Sequence, residues 1–218
     1  MFPKRVVIIA NGDLNELDFY RGLIKADDLV YCVNGGTRHA LELGLKPDLV
    51  IGDLDSLDPG DRHKMKEFNP QLIEHPSEKD KSDLELALDQ AIKARPGDIL
   101  IIGALGGRRA DHAFINLLLL QKPLHYGIPA SIIDERHEIL LAEKEVAIQG
   151  AAGDYISIFS LTAESSGIVT EGLKYPLKNE TLHFASTRGL SNELTDPRAA
   201  IKLESGLLLI IKTAAPAY

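Results

Sequence analysis

The chain has 218 residues and a formal charge of −8, from 24 basic and 32 acidic side chains. Such a balance excludes a general nucleic-acid binder, which needs a basic face to neutralise phosphates. The apolar fraction of 44% suffices for a buried core, and a single cysteine, Cys32, excludes an intrachain disulfide and a Cys-based zinc cluster.

Val6 to Ala10 is a short, β-branched, apolar run that predicts a strand buried on both faces, as in a parallel sheet. It ends at Asn11-Gly12-Asp13. A helical stretch from Leu14 to Ala26 follows, then a strand from Leu29 to Val33 that ends at Asn34-Gly35-Gly36. A helix over Thr37 to Leu43, a strand over Asp48 to Ile51, a helix over Pro59 to Phe68 and a short strand over Gln71 to Glu74 continue the alternation. From Ser82 onward, Leu84, Ala87, Leu88, Ala91 and Ile92 fall at helical spacing and make one apolar stripe. Ser82 and Glu85 form a capping-box pair at its start, and Pro96-Gly97 stops it. A strand over Asp98 to Ile102, a glycine-bearing turn through Gly103, Gly106 and Gly107, a helix over Asp111 to Leu120 and a strand over Ser131 to Ile133 complete this part. The fold class is α/β, a Rossmann-like and mostly parallel sheet.

Beyond Arg136 the segments become short and β-rich: Val146 to Ile148, Tyr155 to Leu161, Gly167 to Thr170 and Leu207 to Ile211. These predict a small antiparallel β-sandwich, so the expected division is an α/β domain over residues 1–138 and a second domain over 139–218. No apolar run is long enough to cross a bilayer, and the one near the start is too short for a signal-peptide core. The expected address is cytoplasmic, with no membrane partner.

In an open α/β sheet, the loops at the carboxyl ends of the strands converge on one edge, where ligands bind. Asp53 and Asp55 stand at i and i+2 after the third strand, so both carboxylates can reach one cation; a plain strand-ending turn explains them as well. Asp83 fits the first turn of a helix for its dipole alone, and Asp111 fits a simple N-cap. Their collection at one sheet edge is what points to chemistry. Gly106-Gly107-Arg108-Arg109 offers glycines for close backbone approach and arginines for phosphate oxygens. His112 follows as a candidate base or phosphate contact. The chain has no Gly-x-x-x-x-Gly-Lys-Ser/Thr loop, no Gly-x-Gly-x-x-Gly, no His-Glu-x-x-His and no Gly-x-Ser-x-Gly.

Five ordered segments together resemble the thiamine pyrophosphokinase family. They are Pro47-Asp48 through Gly52-Asp53-Leu54-Asp55-Ser56, Lys79-Asp80-Lys81-Ser82-Asp83-Leu84-Glu85, Gly106 to His112 with Asn116, Gly172 to Leu177, and Ser191-Asn192-Glu193. The resemblance implies an α/β domain followed by a β-sandwich, a homodimer binding thiamine between chains, and ATP as co-substrate with Mg²⁺. The reaction it implies moves the diphosphoryl group of ATP to thiamine. It casts Asp53, Asp55 and Asp83 as metal ligands and adds Asp111 to the catalytic acids. Arg108 or Arg109, with Asn34, Gly35, Lys81 and His112, would serve the nucleotide phosphates; Ser191 and Asn192 would line the thiamine pocket. Two features depart from the family pattern. Asn34 stands where Asp-Gly-Gly is usual, and the arginine segment carries one extra residue. The rival readings are a pyrophosphokinase for a pterin-type hydroxymethyl heterocycle and a non-catalytic thiamine or nucleotide sensor.

Overall fold

The computed structural model describes residues 4–52, 58–74, 80–106 and 109–215. They fall into two compact units, Met1–Glu135 and Arg136–Tyr218.

In the first unit, strands β1 Val6–Ile9, β2 Leu29–Val33, β3 Leu49–Gly52, β4 Gln71–Glu74, β5 Ile99–Ile102 and β6 Ala130–Ile133 form a parallel sheet. Its spatial order is β6-β5-β1-β2-β3-β4, with Val6 paired to both Leu29 and Ile99. Every residue of β1, β3 and β5 is buried, as strands covered on both faces require. The connecting helices are α1 Leu17–Leu23, α2 Gly36–Glu42, α3 Pro59–Glu67, α4 Asp83–Ala94, α5 Ala110–Leu119 and α6 Gln121–His125. The chain builds outward from β1 through β4, then returns to lay β5 and β6 on the other side of β1. Strand order therefore reverses between β1 and β5, and the loops leaving those two strands part to open a crevice.

Helix α4 follows its sequence pattern closely. Ser82 caps it, its Oγ accepting from the Glu85 N–H at 3.2 Å, and Leu84, Ala87, Leu88 and Ala91 are buried. Arg95, in left-handed conformation, ends the helix ahead of Pro96. The expected helix over Leu14 to Ala26 is shorter at both ends: the Asn15 and Glu16 N–H groups ahead of it donate to the Glu135 carboxylate at 2.7 and 3.1 Å, and the backbone turns extended at Ile24. Asp111 is not an N-cap: Arg109 takes that position and Asp111 sits in the first turn. Helix α6, which the sequence expectation lacks, carries Pro123 in its first turn, where proline is tolerated. Cys32 lies buried in β2, and burial pushes its thiol pKa up, so it is an inert part of the core.

The second unit holds two antiparallel sheets. One is built from β7 His137–Ala142, β9 Tyr155–Ser160, β12 Asn192–Glu193 and β14 Leu208–Thr213, in the order β12-β9-β14-β7. The other contains β8 Glu145–Gln149, β10 Glu164–Glu171, β11 Lys178–His183 and β13 Arg198–Lys202, in the order β11-β10-β13-β8. Alternate residues from both sheets, among them Ile156, Ile158, Leu208 and Ile210 from the first and Ile148, Ile168, Leu182 and Ile201 from the second, meet in one core. This is a sandwich. Strands β11 and β13 escaped the sequence reading because each buries only one or two apolar residues between charged ones.

Candidate functional site

At the carboxyl ends of β1, β2 and β5 lies a cavity of about 360 Å³. Its floor is made of turns that need glycine. The Gly12 N–H donates to Gly103 O at 2.7 Å, and a Cβ on Gly12 would come within 2.6 Å of Leu105 O. Gly103 turns with φ +66° and Gly106 with φ +81°, conformations that glycine adopts without penalty. Asn116, from α5, donates from its amide to Ala104 O at 2.8 Å and fixes this turn against the helix.

The polar wall comes from two elements far apart in sequence. Asn34, directly after β2, donates from Nδ2 to Asp83 Oδ2 at 2.6 Å, and Asp83 opens α4. This separation is short, as expected when the acceptor is a carboxylate. Arg109, His112 and Ala113 line the cavity as well. The Arg109 side chain donates from Nε to Asp111 Oδ1 at 2.9 Å and from its terminal nitrogen to Oδ2. That pairing holds the Asp111 carboxyl well below the usual carboxylate range. Asp111 itself is exposed and faces Arg109 rather than the cavity lining.

Of the residues singled out by sequence, the structure thus brings Asn34, Asp83, Arg109 and His112 around one cavity. Gly35 supports it from behind, packed so closely that a Cβ there would strike the Asn11 carboxamide. Lys81 lies elsewhere: its ammonium meets Asp89 at 2.8 Å on the outer face of α4, beside Lys122, which reaches Asp89 and Glu85 at 2.7 and 2.8 Å. Burial works against the Asp89 carboxylate, yet hydrogen bonds from Lys122 and Lys81 outweigh it and keep its pKa low. Asp53, Asp55 and Arg108 lie outside the described residues. Among the described residues, no group of three or more His, Cys, Asp or Glu side chains is gathered closely enough to hold a metal ion. Asn11 and Asn116 were the side chains that motif reading undervalued. The signal for Asn11 was its place as the first polar residue after a buried strand.

A second cavity, of about 130 Å³, lies in the second unit. Ile158, Leu177 and Leu190 give it apolar walls, with Tyr175, Ser191 and Asn192. The Asn192 carboxamide is spent on the backbone of Tyr175, accepting from its N–H at 3.0 Å and donating to its carbonyl at 2.7 Å. Asn192 therefore shapes this cavity by holding Tyr175 in place.

Residues 20–132 match the family model described as thiamin pyrophosphokinase, catalytic domain, and residues 136–208 match the thiamin pyrophosphokinase vitamin B1 binding domain. The chain is 32% identical to the thiamine pyrophosphokinase of Bacillus subtilis over 212 residues, covering 96% of this chain and 99% of that one. It is 25% identical to thiamine pyrophosphokinase 1 of Oryza sativa over 95% of this chain and 78% of the relative. The crystal structure of the B. subtilis protein superposes with a TM-score of 0.89 at 30% identity, over 98% of this chain and 100% of the other. That of the thiamin pyrophosphokinase from Geobacillus thermodenitrificans gives 0.85 at 30% identity, over 98% and 99%.

Proposed function

The chain belongs to the thiamin pyrophosphokinase family, and from that membership we propose which of its residues carry the family's reaction. The activity is transfer of the diphosphoryl group of ATP to the hydroxyl of thiamine, giving thiamine diphosphate and AMP. The thiamine oxygen bonds to the β-phosphorus as the bond from that phosphorus to the oxygen of the α-phosphate breaks. AMP leaves with that oxygen, and the hydroxyl proton passes to an aspartate of the pocket. There is little covalent work for the protein here, so positioning and charge neutralisation dominate.

The observation that carries the assignment is the cavity where strand order reverses, walled by Asn34, Asp83 and Arg109. Its glycine turns at Gly103 and Gly106 let phosphate oxygens approach the backbone, while Gly12 packs against Gly103 and holds the turn in place. Arg109 supplies the cationic clamp, and ATP oxygens compete with Asp111 for its guanidinium. Mg²⁺ fits on donor chemistry: the Asp83 carboxylate is a hard oxygen ligand on the cavity wall, and the family resemblance assigns Asp53 and Asp55, which follow β3 in the sequence, to the same ion. Bound there with the nucleotide, Mg²⁺ would neutralise charge on the transferring phosphates. Thiamine would take the second unit's cavity, against Tyr175 and Leu190 and beside Ser191.

Purified protein with Mg²⁺, ATP and thiamine is expected to release AMP and thiamine diphosphate in equal amounts. Thiamine binding without AMP above background would replace this reading with the sensor. A pterin acceptor outcompeting thiamine would replace it with the related pyrophosphokinase.

Assembly as a homodimer, with thiamine taken between chains, is part of the same proposal. Phe114 on α5 and Tyr175, Phe184 and Leu190 in the second unit each expose half or more of their surface, apolar area that a second copy would cover. Light scattering is expected to return twice the chain mass; a single-chain mass at working concentration would remove the dimer. Among the described residues no helix is long and apolar enough to cross a membrane. The one thiol, Cys32, is buried and unpaired, which suits a reducing, cytoplasmic setting.

A further inference from the structure

Asn34 is held more tightly than a surface loop residue needs to be. Its backbone is left-handed, with φ 46°, a conformation asparagine tolerates better than most side chains. Its N–H donates to Ile51 O at 2.9 Å and its carbonyl accepts from Thr37 N–H at 3.0 Å, so both peptide groups are fixed to neighbouring elements. The carboxamide lies in a notch over Gly52, where any Cβ would collide with it. Gly52 has φ +144°, so the notch is built into the backbone of β3 as well. With the side chain seated in this way, Nδ2 faces Asp83 Oδ2 at 2.6 Å. The orientation of the amide is set by chemistry, since its oxygen turned toward the carboxylate would be repelled. The Asn34 oxygen is buried on the Gly52 side, without a hydrogen-bond partner among the described residues.

We propose that Asn34 is a positioning residue that orients the Asp83 carboxylate and sets how strongly the cavity takes a divalent cation. This rests on the proposed placement of Mg²⁺ at Asp83. The amide donor engages one oxygen of a carboxylate that lines the cavity. It also contributes no charge of its own. An acidic side chain seated in the same notch would bring two carboxylates into contact, and only a cation or a proton between them would relieve the repulsion. Cation affinity in oxygen-ligand sites rises with the number of charged ligands. With a neutral donor here, the cavity binds bare Mg²⁺ weakly and takes the ion chiefly together with nucleotide phosphates. The magnesium dependence of the enzyme is then governed by ATP, and free cation does not fill the site ahead of the nucleotide.

Two variants test this on the full chain. Asn34→Asp is expected to bind Mn²⁺, used alone as a spin-active probe, about tenfold or more tightly than the wild type, and to gain several degrees of melting temperature from MgCl₂ alone. An Asn34→Asp protein that folds only when MgCl₂ is present supports the proposal in the same way. Asn34→Ala removes the donor without adding charge; kcat is expected to fall about tenfold while KM for thiamine stays within twofold, and the KM for the magnesium complex of ATP rises. A merely structural role would lower the melting temperature of Asn34→Ala without that division between kcat and KM. Equal Mn²⁺ affinity in wild type and Asn34→Asp overturns the proposal. So does Asn34→Ala with wild-type kcat, which also decides the matter if Asn34→Asp fails to fold with or without cation. If the wild type makes no thiamine diphosphate, the functional reading falls, while the Mn²⁺ comparison still reports on Asn34.

Discussion

Replacing Asp83 with asparagine is expected to lower kcat by about two to three orders of magnitude while the melting temperature changes by no more than a few degrees. The stability half of this expectation follows from where Asp83 sits. It is the first residue of α4, half-buried at the cavity wall, and Ser82 rather than Asp83 provides the cap. Losing a charge in a first turn costs about 0.3–1 kcal/mol through the helix dipole. The bond to Asn34 Nδ2 survives in part, because the new amide oxygen still accepts. The activity half follows from charge. The nucleotide brings several negative oxygens to a protein whose own net charge is −8, so neutralisation must come from a cation and from Arg109. An amide at position 83 keeps the shape of the ligand and removes its charge, which isolates the electrostatic contribution. Initial-rate measurements of AMP release across a Mg²⁺ series, beside thermal melts, separate the two halves. Turnover within threefold of wild type would remove Asp83 from the metal site.

The sequence made some of this visible and hid the rest for identifiable reasons. Helix α4 could be read because everything that specifies it is local: an apolar stripe at helical spacing, Ser82 at the cap and Pro96-Gly97 beyond the end. The buried strands of the first unit were legible as continuous apolar runs, and the turns after them as clusters of glycine and small polar residues. The pairing of Asn34 with Asp83 was not legible, because it joins residues 49 positions apart and depends on α4 lying next to the end of β2. The shortened α1 is a similar case. The N–H groups of Asn15 and Glu16, just ahead of it, are taken by Glu135, about 120 positions along the chain, and no local pattern carries that information. Lys81 is a further contact that the sequence did not show. A basic residue beside Asp83 in a family-like segment invites a phosphate role, and its stem, from ahead of the N-cap, reaches Asp89 eight positions on at 2.8 Å. In the second unit, β11 and β13 were missed because a strand covered on one face needs few apolar residues when its partner sheet supplies the remainder of the core.

Gly36→Ala is expected to be the most disruptive single-methyl change near the site, costing about 3 kcal/mol and lowering the melting temperature of the first unit by about 6–12 °C. Alanine normally improves a helix relative to glycine by about 1 kcal/mol, so propensity alone predicts the reverse. Gly36 is the first residue of α2, and a Cβ there would overlap Ile9 O and lie 2.7 Å from Ile9 C and 3.0 Å from Ala10 O. These are backbone atoms of β1 and of the residue that follows it, buried at the centre of the parallel sheet, and they cannot turn aside as a flexible side chain would. Relief requires α2 to lift away from β1. That movement would disturb the Thr37 N–H bond to Asn34 O, and through Asn34 the hydrogen bond to Asp83. The variant should therefore lose activity as well as stability, and the lost activity should track altered binding of the magnesium complex of ATP. Calorimetry and initial rates on Gly36→Ala, set against Gly22→Ala, provide the comparison, since Gly22 in α1 has open space where its Cβ would be. Equal melting temperatures for the two variants would contradict the close approach of α2 to β1. A destabilised Gly36→Ala protein with wild-type kinetics would show that helix position and carboxylate geometry are not coupled through Asn34.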